Sequence, residues 1–236
     1  ATGAYGLSVI TALTAQNTIG VDAIYPVAID FLKQQMQTVY CDIRIDAVKV
    51  GMLGTAEVTE AVVEFLGILE CPVVVDPVMV AKSGDRLLHA DAIVALRDSL
   101  IPEATVITPN LPEAADLLGV SEARDRDAMQ AQAKALLDLG PQAVLLKGGH
   151  LSTQESPDLL MSNDQVRWFD TARVVTKNTH GTGCTLSSAL ASYLGQGHTV
   201  ARAVTEAKKY VSGAITAADQ LSVGQGHGPV NHFWSF

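Results

Sequence analysis

The sequence has few of the residues and patterns that mark several common classes of protein. Only 5% of its 236 residues are aromatic, so a core must be built mainly from Val, Ile, Leu and Ala. Three cysteines without a Cys-x-x-Cys pair argue against a disulfide framework and a structural zinc site, and reduced thiols fit the cytoplasm. No apolar run reaches the roughly 20 residues that a transmembrane helix needs, so we expect no membrane association.

Positive charge is also scarce. The net charge is −9, and the only adjacent basic pair of note is Lys208-Lys209. This balance argues against nucleic acid as a partner. The Walker A pattern and the glycine-rich loop of protein kinases are both absent. With 48% hydrophobic residues, the chain is long enough for one large domain, and we expect residues 1–236 to form it.

Strand-like and helix-like segments alternate along the chain. The strand-like runs are residues 7–13, 46–50, 73–75, 105–108 and 143–147, and the helical runs are residues 26–40, 57–69, 90–100, 111–118, 127–139 and 200–218. Residues 158–169 look like a hairpin. The alternation predicts an α/β fold whose predominantly parallel central sheet carries helices on both faces. In such sheets, ligands bind beyond the carboxyl ends of the strands.

The most informative motif is Gly181-Thr182-Gly183-Cys184, which precedes a helical run of small and apolar residues. Its two glycines let the backbone approach a ligand closely. Unpaired N–H groups at a helix N-terminus and the positive end of the helix dipole form an anion hole. The thiol of Cys184 stands at its mouth, where the ionised form is favoured, although inert packing is an alternative. The motif predicts a site for phosphoryl transfer.

Polar residues collect at the predicted strand ends, and each allows two interpretations. Asp76 is either a turn residue before Pro77 or a carboxylate for Mg²⁺. Asn110 and Glu113 form a capping box, a metal-binding pair, or both at once. Lys147 either extends to solvent or meets a phosphate beside two glycines.

Two lysines and two loop segments complete the list of candidates. Helix periodicity does not decide whether Lys208 or Lys209 points inward. Residues 81–86 and 152–157 are predicted to be lids over a ligand.

Seven segments together resemble the bacterial hydroxymethylpyrimidine/phosphomethylpyrimidine kinases of the ribokinase-like superfamily. They are residues 3–18, 48–53, 73–88, 107–114, 144–150, 176–190 and 226–233. The resemblance implies a ribokinase-like fold, ATP and Mg²⁺ as cofactors, a small pyrimidine substrate, a role in thiamine biosynthesis and a homodimer. It also implies that the family's first strand and the loop after it precede Ala1.

The resemblance further implies a role for each matching residue. Gln16 reads the aminopyrimidine edge in a pocket lined by Thr14, Met52 and Val78. Asp76 and Glu113 lie around Mg²⁺, and Asn110, Lys147 and Lys208 lie near the ATP phosphates. Gly181, Thr182 and Gly183 form the anion hole, with Cys184 as the candidate base. Two alternatives remain open, a pyridoxal/pyridoxine kinase of the same superfamily and a non-catalytic ligand-binding module.

Overall fold

A computed structural model describes residues 1–79, 90–151 and 154–235. The strands are β1 (Ala12–Gln16), β2 (Val21–Pro26), β3 (Val48–Val50), β4 (Val73–Val75), β5 (Val106–Ile107), β6 (Ala143–Lys147), β7 (Asp158–Ser162) and β8 (Val166–Phe169). The helices are α1 (Ile29–Asp42), α2 (Ala56–Leu66), α3 (Ala90–Ala95), α4 (Leu111–Leu118), α5 (Arg126–Leu137), α6 (Thr182–Gly195) and α7 (Val200–Thr216). A π-helical turn (Leu96–Leu100) and a 3-10 turn (Ile101–Glu103) follow α3, and a second 3-10 turn (Ala218–Gln220) follows α7.

Six strands form one sheet in the order β3-β4-β5-β6-β7-β8. The first four run parallel, and β7 and β8 return antiparallel to them as the predicted hairpin. The carboxyl ends of β3, β4, β5 and β6 therefore lie along one edge of the sheet. The predicted α/β architecture with a mostly parallel sheet is confirmed.

Two apolar clusters cover the two faces of this sheet. Val73 and Val75 of β4 face the larger cluster, which includes side chains of α1, α2, α4 and α5. Val74 faces the other cluster, which is built mainly from α6 and α7. This alternation within one strand is the period-2 pattern of a strand buried on both faces. It positions α6 against the sheet, so that the start of this helix can meet the strand ends.

The N-terminal region differs from the prediction. The strand predicted over residues 7–13 begins at Ala12 and runs to Gln16, so Thr14 and Gln16 lie within it. Within the part of the chain that the structure describes, it pairs only with β2, in an antiparallel two-stranded sheet that is separate from the central one. The carbonyl oxygen of the Asn17 side chain accepts hydrogen bonds from the N–H groups of Ile19 and Gly20, which closes the turn. This side-chain turn is the local signal that the strand prediction overlooked.

Other differences are smaller. The helix predicted over residues 90–100 is α-helical only as far as Ala95 and continues as the π-helical turn. The bounds of α4 and β6 match their predictions. The predicted lid at residues 81–86 lies outside the described residues, as do positions 152 and 153 of the second lid. Within the described ranges, no helix combines the length and apolar character needed to span a membrane.

Candidate active site

Asp76 and Lys147 meet at the carboxyl edge of the sheet, where β4 and β6 end. The Asp76 side chain is 2% exposed. Its Oδ1 atom accepts hydrogen bonds from Lys147 Nζ at 3.0 Å and from the Thr108 hydroxyl at 2.9 Å. Thr108 is the first residue after β5, so three neighbouring strands supply this contact. The two expected strand-end groups therefore form one buried ion pair.

Both members of the pair are held in their charged forms. Burial by itself raises the pKa of Asp76, but the positive charges of Lys147 and Lys49 outweigh it and hold this pKa below the ordinary value. Burial by itself lowers the pKa of Lys147, but Asp76 and Glu113 raise it above the ordinary value. A buried lysine held charged in this way supplies a fixed positive charge for an anionic group.

The Gly-Thr-Gly-Cys motif forms the start of α6. Gly181 precedes the helix with φ of +80°, a conformation that favours glycine. Its carbonyl oxygen accepts hydrogen bonds from the N–H and the hydroxyl of Thr185, at 2.8 and 2.7 Å. Among the described residues, no acceptor contacts the N–H groups of Gly183 and Cys184, as expected in a first helical turn. The anion hole was predicted at Gly181, Thr182 and Gly183, but the Thr182 N–H donates to the carbonyl oxygen of Thr179 at 3.3 Å, so the N–H groups open to an anion are displaced toward Gly183 and Cys184.

The start of α6, where the anion hole is predicted, lies directly beside the ion pair. A Cβ atom added at Gly183 would be 3.4 Å from Lys147 Nζ and 3.6 Å from Asp76 Oδ2. The start of α6 thus lies within contact distance of both charged groups. Free N–H groups, a helix dipole and an ammonium group converge on one small region, which is the arrangement that binds a phosphate.

Ser187 and Thr108 belong to this site, although sequence reasoning did not single them out. The Ser187 hydroxyl is fully buried, 3.4 Å from Asp76 Oδ2 and 3.1 Å from the carbonyl oxygen of Gly183. It connects the carboxylate to the first turn of α6. The available signal was its spacing of four residues from Gly183, which places both residues on one face of the helix.

Asn110 and Glu113 form the predicted capping box at the start of α4. The Asn110 side chain accepts a hydrogen bond from the Glu113 N–H, and Glu113 Oε2 accepts one from the Asn110 N–H, both at 2.8 Å. Burial raises the pKa of Glu113 to about 7 against the lowering effect of the Lys147 charge, and the negative charge of Asp76 adds a smaller increase. Asn110 also lies opposite Lys147 in an isolated parallel β-bridge. The capping interpretation is therefore structurally correct, and the same residues border the ion pair.

The two carboxylates fit Mg²⁺ only together with other ligands. Among the described residues, no group of three or more His, Cys, Asp or Glu side chains is positioned to hold a metal ion. The negative charge of Asp76 raises the pKa of Glu113, so a nearby positive charge would favour the ionised forms of both carboxyl groups. Mg²⁺ in phosphoryl-transfer enzymes takes one or two carboxylates and completes its shell with phosphate and water oxygens. The donor set at this edge matches that mode.

The remaining predicted residues lie around this centre. Cys184 is exposed at the start of α6. On α7, Lys208 is buried in an ion pair with Asp158, whereas Lys209 is exposed, which answers the question of which lysine points inward. Met52 and Val78, which follow β3 and β4, are partly buried.

Gln16 and Thr14 lie exposed on the β1–β2 hairpin, which borders the site. At one end of the hairpin, the Thr11 hydroxyl donates a hydrogen bond to the Met52 carbonyl oxygen at 2.8 Å. At the other end, the Thr18 carbonyl oxygen accepts one from the His227 N–H at 2.8 Å. The next residue, Gly228, accepts one from the N–H of His180, directly before the anion hole. The hairpin thus spans from the end of β3 to the segment beside the anion hole.

Comparison with known proteins decides the family. The profile of the phosphomethylpyrimidine kinase family matches residues 1–231. The chain belongs to this family. It is 51% identical over 234 residues to the hydroxymethylpyrimidine/phosphomethylpyrimidine kinase of Salmonella typhimurium, covering 99% of this chain and 88% of the relative. The corresponding kinase of Escherichia coli is 50% identical with the same coverage. The predicted resemblance is confirmed, and the chain is a phosphotransferase of this family.

Solved structures show the same fold. The phosphomethylpyrimidine kinase of Clostridium difficile superposes with a TM-score of 0.80 at 41% identity, covering 90% of this chain and 87% of that one. The pyridoxal kinase of Bacillus subtilis, solved as an ADP complex, superposes with a TM-score of 0.89 at 33% identity, covering 98% and 87%. The architecture is therefore shared by kinases that are named for two different vitamin precursors.

Proposed function

We propose that this chain uses ATP to phosphorylate 4-amino-5-hydroxymethyl-2-methylpyrimidine and then phosphorylates the resulting monophosphate to the diphosphate, in thiamine biosynthesis. The observation that carries the proposal is the convergence of Lys147 and Asp76 on Gly183 at the start of α6. Family membership supports the substrate, since the relatives of about 50% identity are kinases of this pyrimidine and its phosphate.

Positioning and charge neutralisation account for most of the proposed catalysis, because phosphoryl transfer passes through a loose transition state. The N–H groups of Gly183 and Cys184 hold the migrating phosphoryl group, and Lys147 and Asn110 hold the neighbouring ATP phosphates. Asp76 and Glu113 would hold Mg²⁺, which would supply neutralisation of charge on those phosphates. The buried ion pair supports this assignment, since it keeps Asp76 ionised and Lys147 positive at the same edge.

Cys184 is the proposed base of the first step. Its thiolate removes the proton of the substrate hydroxymethyl group while that oxygen bonds to the γ-phosphorus of ATP and the bond to ADP breaks. In the second step, the attacking atom is a phosphate oxygen that is already ionised near neutral pH, since its second pKa is about 6. The second step therefore needs no base. The exposed position of Cys184 at the helix start supports access to the substrate.

The pyrimidine ring is proposed to bind between the hairpin and the strand ends. Gln16 reads the aminopyrimidine edge, because its amide can both donate and accept a hydrogen bond. Thr14, Met52 and Val78 line the rest of the pocket. The hydrogen bond from the Thr11 hydroxyl to the Met52 carbonyl oxygen supports this arrangement, since it joins the hairpin to the end of β3.

Product analysis tests the proposal. The protein is incubated with MgATP and the hydroxymethylpyrimidine, and the mixture is followed by mass spectrometry. We expect the monophosphate first and the diphosphate later. Absence of both products, with the protein folded, would reject the assignment. A non-catalytic ligand-binding module would consume no ATP with any vitamin precursor.

A pyridoxal/pyridoxine kinase is the second candidate, because pyridoxal kinases superpose on this chain with TM-scores near 0.9. Turnover of pyridoxal and of the hydroxymethylpyrimidine, compared at equal concentrations, distinguishes the two. We expect the pyrimidine to be preferred, and Gln16→Met to reduce that preference by about tenfold or more through loss of the amide contacts. Preference for pyridoxal by the unchanged protein would establish the alternative.

Three further expectations accompany the proposal. Residues 1–236 act as one kinase domain, and the protein works as a cytoplasmic homodimer. Light scattering coupled to gel filtration measures the oligomeric state, and a monomeric mass would reject the homodimer.

A further inference from the structure

The pair formed by Asp158 and Lys208 has no role in the mechanism above. Both side chains are 9% exposed, and the Lys208 ammonium contacts Asp158 Oδ2. The other carboxylate oxygen, Oδ1, accepts a hydrogen bond from the Gly148 N–H at 3.0 Å. A single buried carboxylate thus connects α7 to the turn that follows Lys147. Burying a charge costs desolvation energy, which the paired groups offset. The partners of Asp158 therefore indicate which parts of the fold it joins.

The connection is made at the point where the phosphate-binding strand ends. Asp158 begins β7 and lies directly opposite Lys147 in the antiparallel pairing of β6 and β7. The next residue, Gly148, packs so closely that an added Cβ would lie 2.0 Å from the carbonyl oxygen of Pro157. The turn is therefore fixed from two sides, by the backbone before Asp158 and by the Asp158 carboxylate.

The fixed turn also fixes the backbone of Lys147. Its own N–H donates to the carbonyl oxygen of Pro109 at 2.9 Å, and its carbonyl carbon belongs to the peptide whose N–H is held by Asp158. Its ammonium then reaches Asp76 and the start of α6. Contacts thus run continuously from α7 through Asp158 and Lys147 to Asp76, and Lys208 stands at the far end from Gly183.

We propose that Asp158 is a positioning residue for the phosphate-binding turn at the end of β6, and that Lys208 acts on the nucleotide through Asp158 instead of contacting its phosphates. This inference rests on the proposed function, because the turn is taken to bind ATP. It replaces the phosphate contact of Lys208 that the family resemblance implies. The Lys208 ammonium is already paired with the buried Asp158 carboxylate. If it moved to a phosphate, that carboxylate would remain buried without its partner.

A double-mutant cycle distinguishes the two roles of Lys208. The variants are Asp158→Asn, Lys208→Met and the two combined, and the readouts are ADP affinity by calorimetry, KM for ATP and kcat. The asparagine retains an acceptor for the Gly148 N–H while removing the charge. We expect each single change to weaken ADP binding by about tenfold or more, because an unpaired buried charge disturbs the turn. The combined variant should return to within about threefold of the parent, since no unpaired charge remains.

Two outcomes would overturn the inference. If Lys208 contacts the phosphates, the combined variant will bind ADP as weakly as Lys208→Met, and Asp158→Asn alone will bind it no worse than the parent. If the pair is only a scaffold, the variants will lose stability in urea without a change in ADP affinity. The combined variant has no unpaired charge, so its ADP affinity tests phosphate contact by Lys208 even if a single variant fails to fold, and the single variant that folds distinguishes positioning from a scaffold role.

Glu206→Gln is the matched control, because it breaks a more exposed pair with Arg202 on the same helix. We expect unchanged ADP affinity and activity. Failure of the parent protein to phosphorylate the pyrimidine would reject the proposed function, but the ADP titrations would still report on the turn.

Discussion

Lys147 and Asp76, which are 71 positions apart in the sequence, form an ion pair of 3.0 Å beneath the first turn of α6. The pair is mostly buried, with side-chain exposures of 15% and 2%. The charges on this edge of the sheet are therefore fixed before any nucleotide binds. Such preorganisation is what electrostatic catalysis of phosphoryl transfer requires.

Lys147→Met should destabilise the fold, because Asp76 is left buried without its contacting cation. We expect a loss of about 3–5 kcal/mol in the free energy of unfolding at pH 7, measured in urea. Lys33→Met, which breaks an exposed pair with Glu64, is the control and should leave the free energy of unfolding nearly unchanged, because solvent screens an exposed pair. Since the pKa of Asp76 is lowered, its pairing stabilises the fold above the ordinary carboxyl pKa and is lost as the pH falls through the folded value. The difference between variant and parent should therefore shrink below about pH 4. Equal stability at pH 7 would contradict the account.

Gly183→Ala should separate activity from stability. The added methyl group meets Lys147 Nζ at 3.4 Å, which is ordinary contact, so the free energy of unfolding should change by less than about 1 kcal/mol. The same methyl group occupies space at the anion hole, so kcat should fall by about a hundredfold or more. Gly67→Ala at the end of α2, where a Cβ also meets only ordinary contacts, is the control. A fully active Gly183→Ala enzyme would place phosphoryl transfer elsewhere.

Cys184→Ala should affect the two phosphorylations unequally. A general base contributes roughly 10²–10⁴-fold to the rate of a step that needs one. We therefore expect the first phosphorylation to slow by about that factor and the second to change much less. The two steps are measured separately, in steady state, with the hydroxymethylpyrimidine and with its monophosphate as the starting substrate. Equal losses would leave Cys184 with a structural or binding role only.

Glu113→Gln should remove a pH dependence of stability. The folded pKa of Glu113 is about 7, above the ordinary 4.5, so the folded state holds the proton more tightly than the unfolded state. The contribution of Glu113 is therefore fully present below pH 4.5 and is lost as the pH rises to 7. At roughly 1.4 kcal/mol per pH unit, the loss is about 3 kcal/mol at most.

Urea unfolding of both proteins at pH 5 and pH 8 measures this effect. The glutamine retains an acceptor for the Asn110 N–H, so the cap should persist in the variant. The stability advantage of the parent over the variant should decline between the two pH values. Parallel changes in the two proteins would show that Glu113 does not titrate in this range.

The strand ends and the helix start of the site could be predicted from sequence. Val73–Val75 is a short apolar run, which predicts a buried strand that ends just before Asp76. Lys147 follows four apolar residues and is likewise predicted at a strand end. In a parallel sheet these ends meet at one edge, which made the contact of Asp76 with Lys147 foreseeable. Gly181 and Gly183 predicted a close approach of the backbone to a ligand.

Other features depend on tertiary packing and left a weaker signal. Ser187 joins the site only because α6 lies against β4, and its hydroxyl is one of several small polar groups on that helix. The hairpin of β1 and β2 stands apart from the central sheet, so neither its pairing nor the position of Gln16 follows from local apolar pattern. The family resemblance implies a phosphate contact for Lys208, and its pairing with Asp158, 50 positions away in the sequence, leaves no local signal.

Transfer of label from γ-³²P-ATP tests most directly whether phosphoryl transfer takes place at the start of α6. The parent protein should move label to the hydroxymethylpyrimidine, yielding a singly and then a doubly labelled product, and folded Gly183→Ala should yield little of either. Label that stays in ATP or passes only to water with the parent protein, or equal labelling by the two proteins, would contradict the account.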